Sequence, residues 1–439
     1  IEVTGGKNMM EDSVLGKMLN RLNVMEPQQV YAVLQENGLG VSDVTPFAQM
    51  SEAAGGMLTG DSILFVDGFD RALKIPDKGY PGMSLQKTES EKAIRGSNEG
   101  FGDSIKQNTA LIRKRLRSVD LKVAECKCGR RTGTNVDIMY LDGIVRPEIV
   151  TQMQQRLAAF EIDGIGDSGV IEQLTETQWF SPFPQYQTTR RPDRAVMALL
   201  EGRAVLLADN SPEVLIFPTD YNSFIKTTDD YYTRWEIATF TRTLRYVAAF
   251  LSMILPGLYL AMTNFHTQLL PTKLLLSFAA ARQGVPFPGV VEVLLMELSF
   301  ELLREAGVRL PGAMGNTIGI VGGLIIGQAA VDANIVSPMV VIVVAFTALC
   351  SFAIPNEDFA TAFRLLKFVF IGLSAALGFY GFLLGLLILL IHLAQLESFG
   401  MPYLMPFVGA DLNDYRDERD SLVRPPLQAL THRPFYANP

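Results

Sequence analysis

The distribution of apolar residues divides the chain into two parts. Through about residue 245, charged residues recur every few positions, and the apolar residues fall into short alternating or helical patterns. Between residues 246 and 394, several stretches instead approach the roughly 20 apolar residues that a helix needs to cross a bilayer. This contrast predicts a soluble front part joined to a helical membrane part.

The front part is predicted to be an α/β or α+β domain. Strands are predicted over 62–66, 136–141, 204–208 and 213–217, and helices over 147–160 and 193–202. Pro147 stands at the favoured first position of its helix, and the turn at 209–212 predicts a hairpin. An Asp-Gly pair ends two of the strands, at Asp67 and Asp142, which suggests two related subdomains. We therefore divide this part into a partial first subdomain with a linker, 1–97, and a second subdomain, 98–240.

The rear part, 241–409, is predicted to be a polytopic helical domain with five or six crossings. Candidate spans cover 246–265, 285–303, 314–334, 335–354 and 365–396. The last is about 45 Å long as one helix, so it is either strongly tilted or broken around Gly378 and Gly381. A basic flank at Arg234, Arg242 and Arg245 places the soluble domain on the cytoplasmic side. Residues 410–439 alternate charge and proline, which predicts a flexible tail.

Composition narrows the possible functions. Hydrophobic residues make up 48% of the chain and charged residues 19%, and the mean hydropathy of +0.20 is too high for an ordinary soluble enzyme. The net charge of -8 argues against a nucleic-acid partner, which would require a basic face. No nucleophile with a base and no complete metal or phosphate site stands at usable spacing, so we expect no enzyme activity, cofactor or metal. The chain opens at Ile1, and we expect it to begin inside a longer protein.

Acidic residues interrupt the candidate span at 285–303. These membrane glutamates are Glu292, Glu297 and Glu301. Each would cost at least a few kcal/mol if it faced lipid, so we expect water or a basic partner such as Arg304 or Arg309 beside them. If the protein were a secondary transporter, the same glutamates would be its coupling residues.

A glycine recurs every four residues in the next candidate span, at Gly315, Gly319, Gly323 and Gly327. The small side chains allow close packing of a neighbouring helix along one face. The opposite face carries Thr317, Val321, Leu324 and Gln328, with Asp332 at its edge. If copies of the chain pack around an axis through these glycines, that face lines a pore. The alternative is a glycine seam inside a bundle formed by one chain, and the pattern favours neither.

Many short motifs in one order resemble the A subunit of the GerA family of spore germinant receptors. Those of the soluble part are Ser62-Ile-Leu-Phe-Val-Asp-Gly, Arg95-Gly-Ser-Asn-Glu-Gly-Phe, Tyr140-Leu-Asp-Gly-Ile, Asp163-Gly-Ile-Gly-Asp-Ser-Gly, Ser181-Pro-Phe-Pro, Arg191-Pro-Asp-Arg and Leu199-Leu-Glu-Gly-Arg. Those of the membrane part are Ala279-Ala-Ala-Arg-Gln-Gly-Val-Pro-Phe-Pro, Leu295-Met-Glu-Leu-Ser-Phe-Glu, Arg304-Glu-Ala-Gly-Val-Arg-Leu-Pro, Gly327-Gln-Ala-Ala-Val and Ser398-Phe-Gly-Met-Pro-Tyr. The resemblance covers about residues 60–408.

This resemblance implies a multi-pass protein of the bacterial inner spore membrane. Its expected partners are a transporter-like B subunit that senses the nutrient and a lipoprotein C subunit. The A subunit is similar to proteins proposed to form oligomeric ion channels, which implies release of monovalent cations through a homo-oligomer. One departure is Arg95-Gly-Ser97-Asn98, where the family usually shows Arg-Gly-Pro-Arg. The paralogous stage V sporulation protein AF shares the fold, so a germination accessory channel or a membrane scaffold is the alternative.

Overall fold

A computed structural model describes residues 44–68, 70–75, 91, 95–309, 325–409 and 420–437, together with 26, 29, 31 and 32. The first described unit is a small antiparallel sheet with strand order β1-β3-β2 and one helix against it. Its elements are β1 (Thr45–Phe47), α1 (Met50–Leu58), β2 (Ser62–Leu64) and β3 (Ala72–Ile75).

A five-stranded sheet forms the centre of the second soluble unit. Its helices and strands are α2 (Ile105–Arg115), β4 (Leu121–Cys128), β5 (Thr134–Leu141), α3 (Pro147–Ala159), α4 (Ser168–Thr175), β6 (Gln187–Thr189), α5 (Pro192–Leu200), β7 (Ala204–Ala208) and β8 (Val214–Phe217). The strand order is β4-β5-β7-β8-β6, and every neighbouring pair is antiparallel. Because all neighbouring strands in this sheet are antiparallel, the soluble part is α+β and not α/β. The predicted hairpin of β7 and β8 is confirmed.

Apolar side chains cover both faces of this sheet. Along β7, Leu206 faces a core that contains α3 and α4 residues, whereas Val205 and Leu207 face a core that contains α2 and α5 residues. The alternation follows from the two-residue period of a strand, and it explains why all five β7 residues are buried. The sheet is therefore the middle of three layers.

The helical part begins after two short helices, α6 (Tyr221–Ile225) and α7 (Asp229–Tyr232). Its helices are α8 (Trp235–Leu260), α9 (Thr272–Ala281), α10 (Gly289–Arg309), α11 (Pro338–Phe352) and α12 (Glu357–Gln395), and residues 325–332 are helical as well. Among the described residues, Trp235–Phe265 and Glu357–Gln395 are long and apolar enough to cross a membrane. The count of five or six crossings remains a prediction.

The long segment α12 is a helical hairpin rather than one rod. Gly378 has a φ of 62° and a ψ of -139°, which breaks the helix and favours glycine. The rings of Phe370 and Phe382 lie 5.8 Å apart, although twelve residues along a continuous helix span about 18 Å. Phe265, at the end of the first long helix, packs against Gly378. The predicted break is therefore confirmed, and the two arms run side by side.

The chain after α12 returns to the soluble domain. A two-stranded sheet, β9 (Glu397–Ser398) and β10 (Met401–Pro402), follows the hairpin, and Ala437 forms an isolated bridge with Val145. Tyr436 is buried, and the Arg203 guanidinium lies 4.3 Å from its ring centroid. Residues 420–437 therefore differ from the flexible tail that their composition predicts, because their aromatic side chains supply contacts with the soluble domain.

Candidate functional site: charged groups inside the helical part and at the domain junction

The first membrane glutamate, Glu292, is buried at the start of α10. Its Oε2 accepts a 2.8 Å hydrogen bond from the backbone N–H of Ser337, just before α11. Its Oε1 lies 3.2 Å from Nη2 of Arg282. A buried carboxylate requires such partners, because an uncompensated charge away from water is costly. Glu292 thus joins three segments of the helical part.

Glu297 and Glu301 share one basic partner on the first arm of the hairpin. Nζ of Lys367 lies 2.6 Å from Oε2 of Glu297 and 3.1 Å from Oε1 of Glu301. Arg364 reaches Oε2 of Glu301 at 3.5 Å. Glu297 and Lys367 are both almost fully buried. We call these four residues the interhelical network, because they connect α10 with α12.

The basic partners named from the sequence are wrong in detail. Arg304 donates to Oγ of Ser351 at 3.2 Å and lies 4.8 Å from the ring centroid of Phe352. Arg309 pairs with Glu305 one helical turn earlier, where both side chains are exposed. Glu297 and Glu301 do have basic partners, but these are Arg364 and Lys367, which lie more than 60 residues farther along the chain.

Most of the predicted pore face lies outside the described residues. This applies to the pore candidates Thr317, Val321 and Leu324 and to the packing glycines Gly315, Gly319 and Gly323. Of the described positions, Gln328 Nε2 donates to Oδ1 of Asp332 at 2.9 Å, and both side chains are exposed.

The opposite side of the same helix faces the chain's own helices. Gly327 and Ala330 are buried, and a Cβ at Gly327 would lie 3.4 Å from Val341. This one described glycine therefore packs against α11 of the same chain, as in the intrachain alternative. The separation of a glycine face from a polar face agrees with the helical spacing.

A second group of buried charges lies where α8 leaves the soluble domain. Arg242 is fully buried, with Nη1 at 2.7 Å from Oδ1 of Asp420 and Nε at 3.4 Å from Oδ2 of Asp230. Arg245 Nη1 lies 2.9 Å from both carboxylate oxygens of Asp230, and Lys226 Nζ lies 3.1 Å from Asp420. We call these five residues the junction network.

The sequence pattern identifies Arg242 and Arg245 only as part of a basic flank. Their partner Asp230 lies 12 residues before Arg242 and belongs to α7, so the Asp229-Asp230 pair next to the span was an available signal. Asp420 lies 178 residues away, in a segment expected to be flexible. Its contact follows from the tertiary fold and could not be read from spacing.

Aromatic side chains join the two parts beside the junction network. Phe359, at the start of the hairpin, stacks on Phe224 at 5.0 Å between ring centroids and lies 5.9 Å from Phe183. Phe183 in turn lies 6.3 Å from Tyr403 and from His392. Phe183, Phe224, Phe359 and Tyr403 belong to one buried cluster, which also contains Leu393 of the second arm. The soluble domain and both arms of the hairpin therefore share a core.

An acidic side chain also approaches the hairpin from the soluble domain. Burial raises the pKa of Glu172 on α4 to about 8, and the nearby carboxylates of Glu176 and Asp358 raise it in the same direction. Asp358 lies at the start of α12, where its Oδ2 accepts from Oγ1 of Thr188 at 3.0 Å. Glu172 is therefore mostly protonated at neutral pH.

Among the described residues, no group of three or more His, Cys, Asp or Glu could hold a metal ion.

Comparison with known proteins matches nearly the whole chain to the family that its sequence motifs resemble. The family model described as GerA, the Bacillus/Clostridium GerA spore germination protein, matches residues 2–436. The chain is 41% identical over 403 residues to the membrane protein YfkQ of Bacillus subtilis (strain 168), covering 91% of this chain and 77% of YfkQ. It is 39% identical over 427 residues to spore germination protein KA of the same strain, covering 97% and 78% of the two chains.

Two further matches were found. Spore germination protein GerLA of Bacillus cereus is 38% identical over 429 residues, which cover 97% of this chain and 87% of GerLA. The crystal structure of the N-terminal domain of the A subunit of the Bacillus megaterium spore germinant receptor GerK3 is 30% identical, with a TM-score of 0.38, and covers 48% of this chain and 78% of that one. The sequence matches alone establish that the chain belongs to the GerA family of spore germination proteins.

Proposed function

We propose that this chain is the A subunit of a spore germinant receptor and that several copies form a path for monovalent cations. The observation that carries this proposal is the exposed pair of Gln328 and Asp332, opposite the buried Gly327 and Ala330. A carboxylate that faces lipid is costly, so this side of the helix requires water or another copy of the chain. A ring of copies around a central pore would supply both.

In this proposal, the spacing of the sequence extends the same face to Thr317, Val321 and Leu324, which lie outside the described residues. In this arrangement Val321 and Leu324 form a hydrophobic constriction that closes by excluding water, and Asp332 attracts cations at the mouth. Ala330 of this helix belongs to the same buried cluster as Met296 of α10 and Ile371 of α12, the two helices that the interhelical network connects. The charges of the interhelical network are paired with one another within one chain. In this proposal they therefore stabilise the helix packing and do not line the ion path.

We further propose that the helical part crosses the inner spore membrane six times, with the soluble domain on the cytoplasmic, spore-core side. Of the predicted five or six crossings, the even number fits, because the chain after α12 returns to the soluble domain that precedes α8. The hairpin supplies two crossings and Trp235–Phe265 a third. Helix α10 has 21 residues, enough to span about 31 Å, and its glutamates are paired. These helix lengths and charge pairs support the predicted division into soluble subdomains up to residue 240 and a membrane domain up to residue 409.

The proposed partners are a B subunit that senses the nutrient and a lipoprotein C subunit. Family membership supports this assembly, because relatives such as KA and GerLA are named spore germination proteins. A signal that reaches the soluble domain can pass to the helices through the junction network and the shared aromatic cluster. These contacts are largely buried and connect both parts, so movement of one part displaces the other.

The test removes the charge at the proposed pore mouth. Asp332→Asn keeps the size of the side chain, and it should slow potassium release from spores after nutrient addition, because the mouth no longer concentrates cations. The matched control is Glu305→Gln, which removes an equally exposed acid from α10. Equal release rates in Asp332→Asn and the parent, with equal protein abundance, would favour a scaffold or a stage V sporulation protein AF-like accessory role.

A further inference from the structure

An aromatic pair projects from the soluble domain beside the helical hairpin. Trp179 is 81% exposed and Phe180 is 66% exposed, in the loop between α4 and β6. Their rings meet edge to face, with centroids 6.1 Å apart. Two large neighbouring aromatic side chains at this level of exposure indicate a contact surface for a partner.

Hydrogen bonds hold the loop in the conformation that exposes this pair. Oε1 of Gln185 accepts from N and Oγ1 of Thr177, at 3.1 and 2.9 Å, and Nε2 of Gln185 donates to the carbonyl of Gln178 at 3.1 Å. The N–H of Ser181 donates to the same Gln178 carbonyl at 3.0 Å. The exposure of Trp179 therefore belongs to a built loop.

The loop lies against the end of the second arm of the hairpin. Oγ of Ser181 is 2.9 Å from Nε2 of His392, and Nε2 of Gln178 donates to the carbonyl of Gln395 at 3.2 Å. On the same helical face, one turn earlier, Ile388 and its neighbour Ile391 are apolar and about half exposed.

The exposed apolar side chains of the hairpin's second arm end next to the loop that carries Trp179 and Phe180. Beyond Gln395 the next exposed side chain is the acidic Glu397. The aromatic pair therefore lies at the boundary between the apolar and polar surfaces of the molecule. In membrane proteins, Trp and other aromatic residues are enriched at this level, where the lipid headgroups meet the acyl chains.

We propose that Trp179 and Phe180 insert into the headgroup region of the bilayer and fix the soluble domain to the membrane surface. This inference rests on the membrane placement given under the proposed function. The partner is the lipid interface itself, reached by continuity with the lipid-facing strip that includes Ile388 and Ile391. Residues 171–189 contain no Lys or Arg that would attract anionic headgroups, so the contact depends on apolar insertion and not on lipid charge.

The chain contains only two tryptophans, Trp179 and Trp235, which allows a direct test. The full-length Trp235→Phe protein, in phosphatidylcholine nanodiscs, has Trp179 as its single fluorophore. Lipids brominated near the headgroup should quench its emission more strongly than lipids brominated near the chain end, and aqueous acrylamide should quench it less than free tryptophan. Adding phosphatidylserine should leave this pattern unchanged.

Two controls separate this inference from the membrane placement. Resistance of the reconstituted protein to alkaline carbonate tests the placement, and extraction by carbonate would overturn both. Protein that stays with the lipid, but whose Trp179 is open to acrylamide and unaffected by brominated lipid, would overturn only the aromatic anchor and would favour a protein partner for this loop. If Trp235→Phe does not reconstitute, the difference between wild type and Trp179→Phe reports the same quenching of Trp179.

Discussion

The interhelical network and the junction network both bury charge, but they differ in how many partners each acid has. In the interhelical network, Lys367 is the only basic side chain that pairs with Glu297 among the described residues. In the junction network, Asp230 pairs with Arg242 and Arg245, and Asp420 pairs with Lys226 and Arg242. Glu301 pairs with both Lys367 and Arg364, so within the interhelical network Glu297 is the acid that depends on a single cation, whereas both acids of the junction network have two basic partners.

This difference indicates different mechanical roles. Removing the partner of a buried charge is much more costly than removing one of several partners, because the remaining charge is left away from water. The interhelical network should therefore hold α10 against α12 in one arrangement. The junction network should tolerate the loss or exchange of a contact, as a connection that transmits movement between two parts requires.

The largest effect is expected from Lys367→Met. The substitution leaves Glu297 buried without a basic partner, and it should lower the free energy of unfolding by about 3–5 kcal/mol. Thermal unfolding of the purified protein in detergent measures this loss. The double variant Glu297→Gln with Lys367→Met removes both charges and should recover most of the stability. A single variant as stable as the parent would show that the pair carries no charge at neutral pH.

A smaller loss is expected from Arg242→Met in the junction network. Asp230 keeps Arg245 and Asp420 keeps Lys226, so the expected cost is that of lost charged hydrogen bonds, about 1.5–3 kcal/mol. The exposed Arg131, which pairs with Asp163 at 3.5 Å, provides the control Arg131→Met with almost no effect. A loss from Arg242→Met as large as that from Lys367→Met would contradict the redundancy.

A change in stability spread over several pH units is expected from Glu172, and the interval from about pH 6 to about pH 9 covers only part of it. The folded chain keeps this carboxyl protonated up to about pH 8, whereas an unfolded glutamic acid ionises near 4.5. The folded state therefore binds the extra proton between these values, and the free energy of unfolding falls as the pH rises from about 4.5 to about 8. The melting temperature should drop more between about pH 6 and about pH 9 in the parent than in Glu172→Gln. Identical pH profiles would contradict this assignment.

The local features of the fold were readable from the sequence. The β7–β8 hairpin, the helix that Pro147 begins and the break at Gly378 each depend on residues a few positions apart. Turn residues, a proline at the first helical position and a length too great for one crossing are signals of that kind. Short sequence motifs also identified the family to which the chain belongs.

The partners of the buried charges were not readable. Glu297 and Lys367 are 70 residues apart, and Lys367 lies near the start of the predicted span 365–396. The contact of Asp420 with Arg242 crosses 178 residues. Pattern arguments along one helix favour nearby partners such as Arg304, whereas the hairpin brings a distant lysine to the same face of α10.

The most direct test of the account is potassium retention in spores that carry Val321→Ser. A small polar side chain would hydrate the proposed constriction, so these spores should lose potassium without nutrient. The matched control is Val369→Ser, the same change at a half-exposed position on the hairpin; it should retain potassium. Retention equal to wild type in Val321→Ser, with the protein at normal abundance, would contradict the channel.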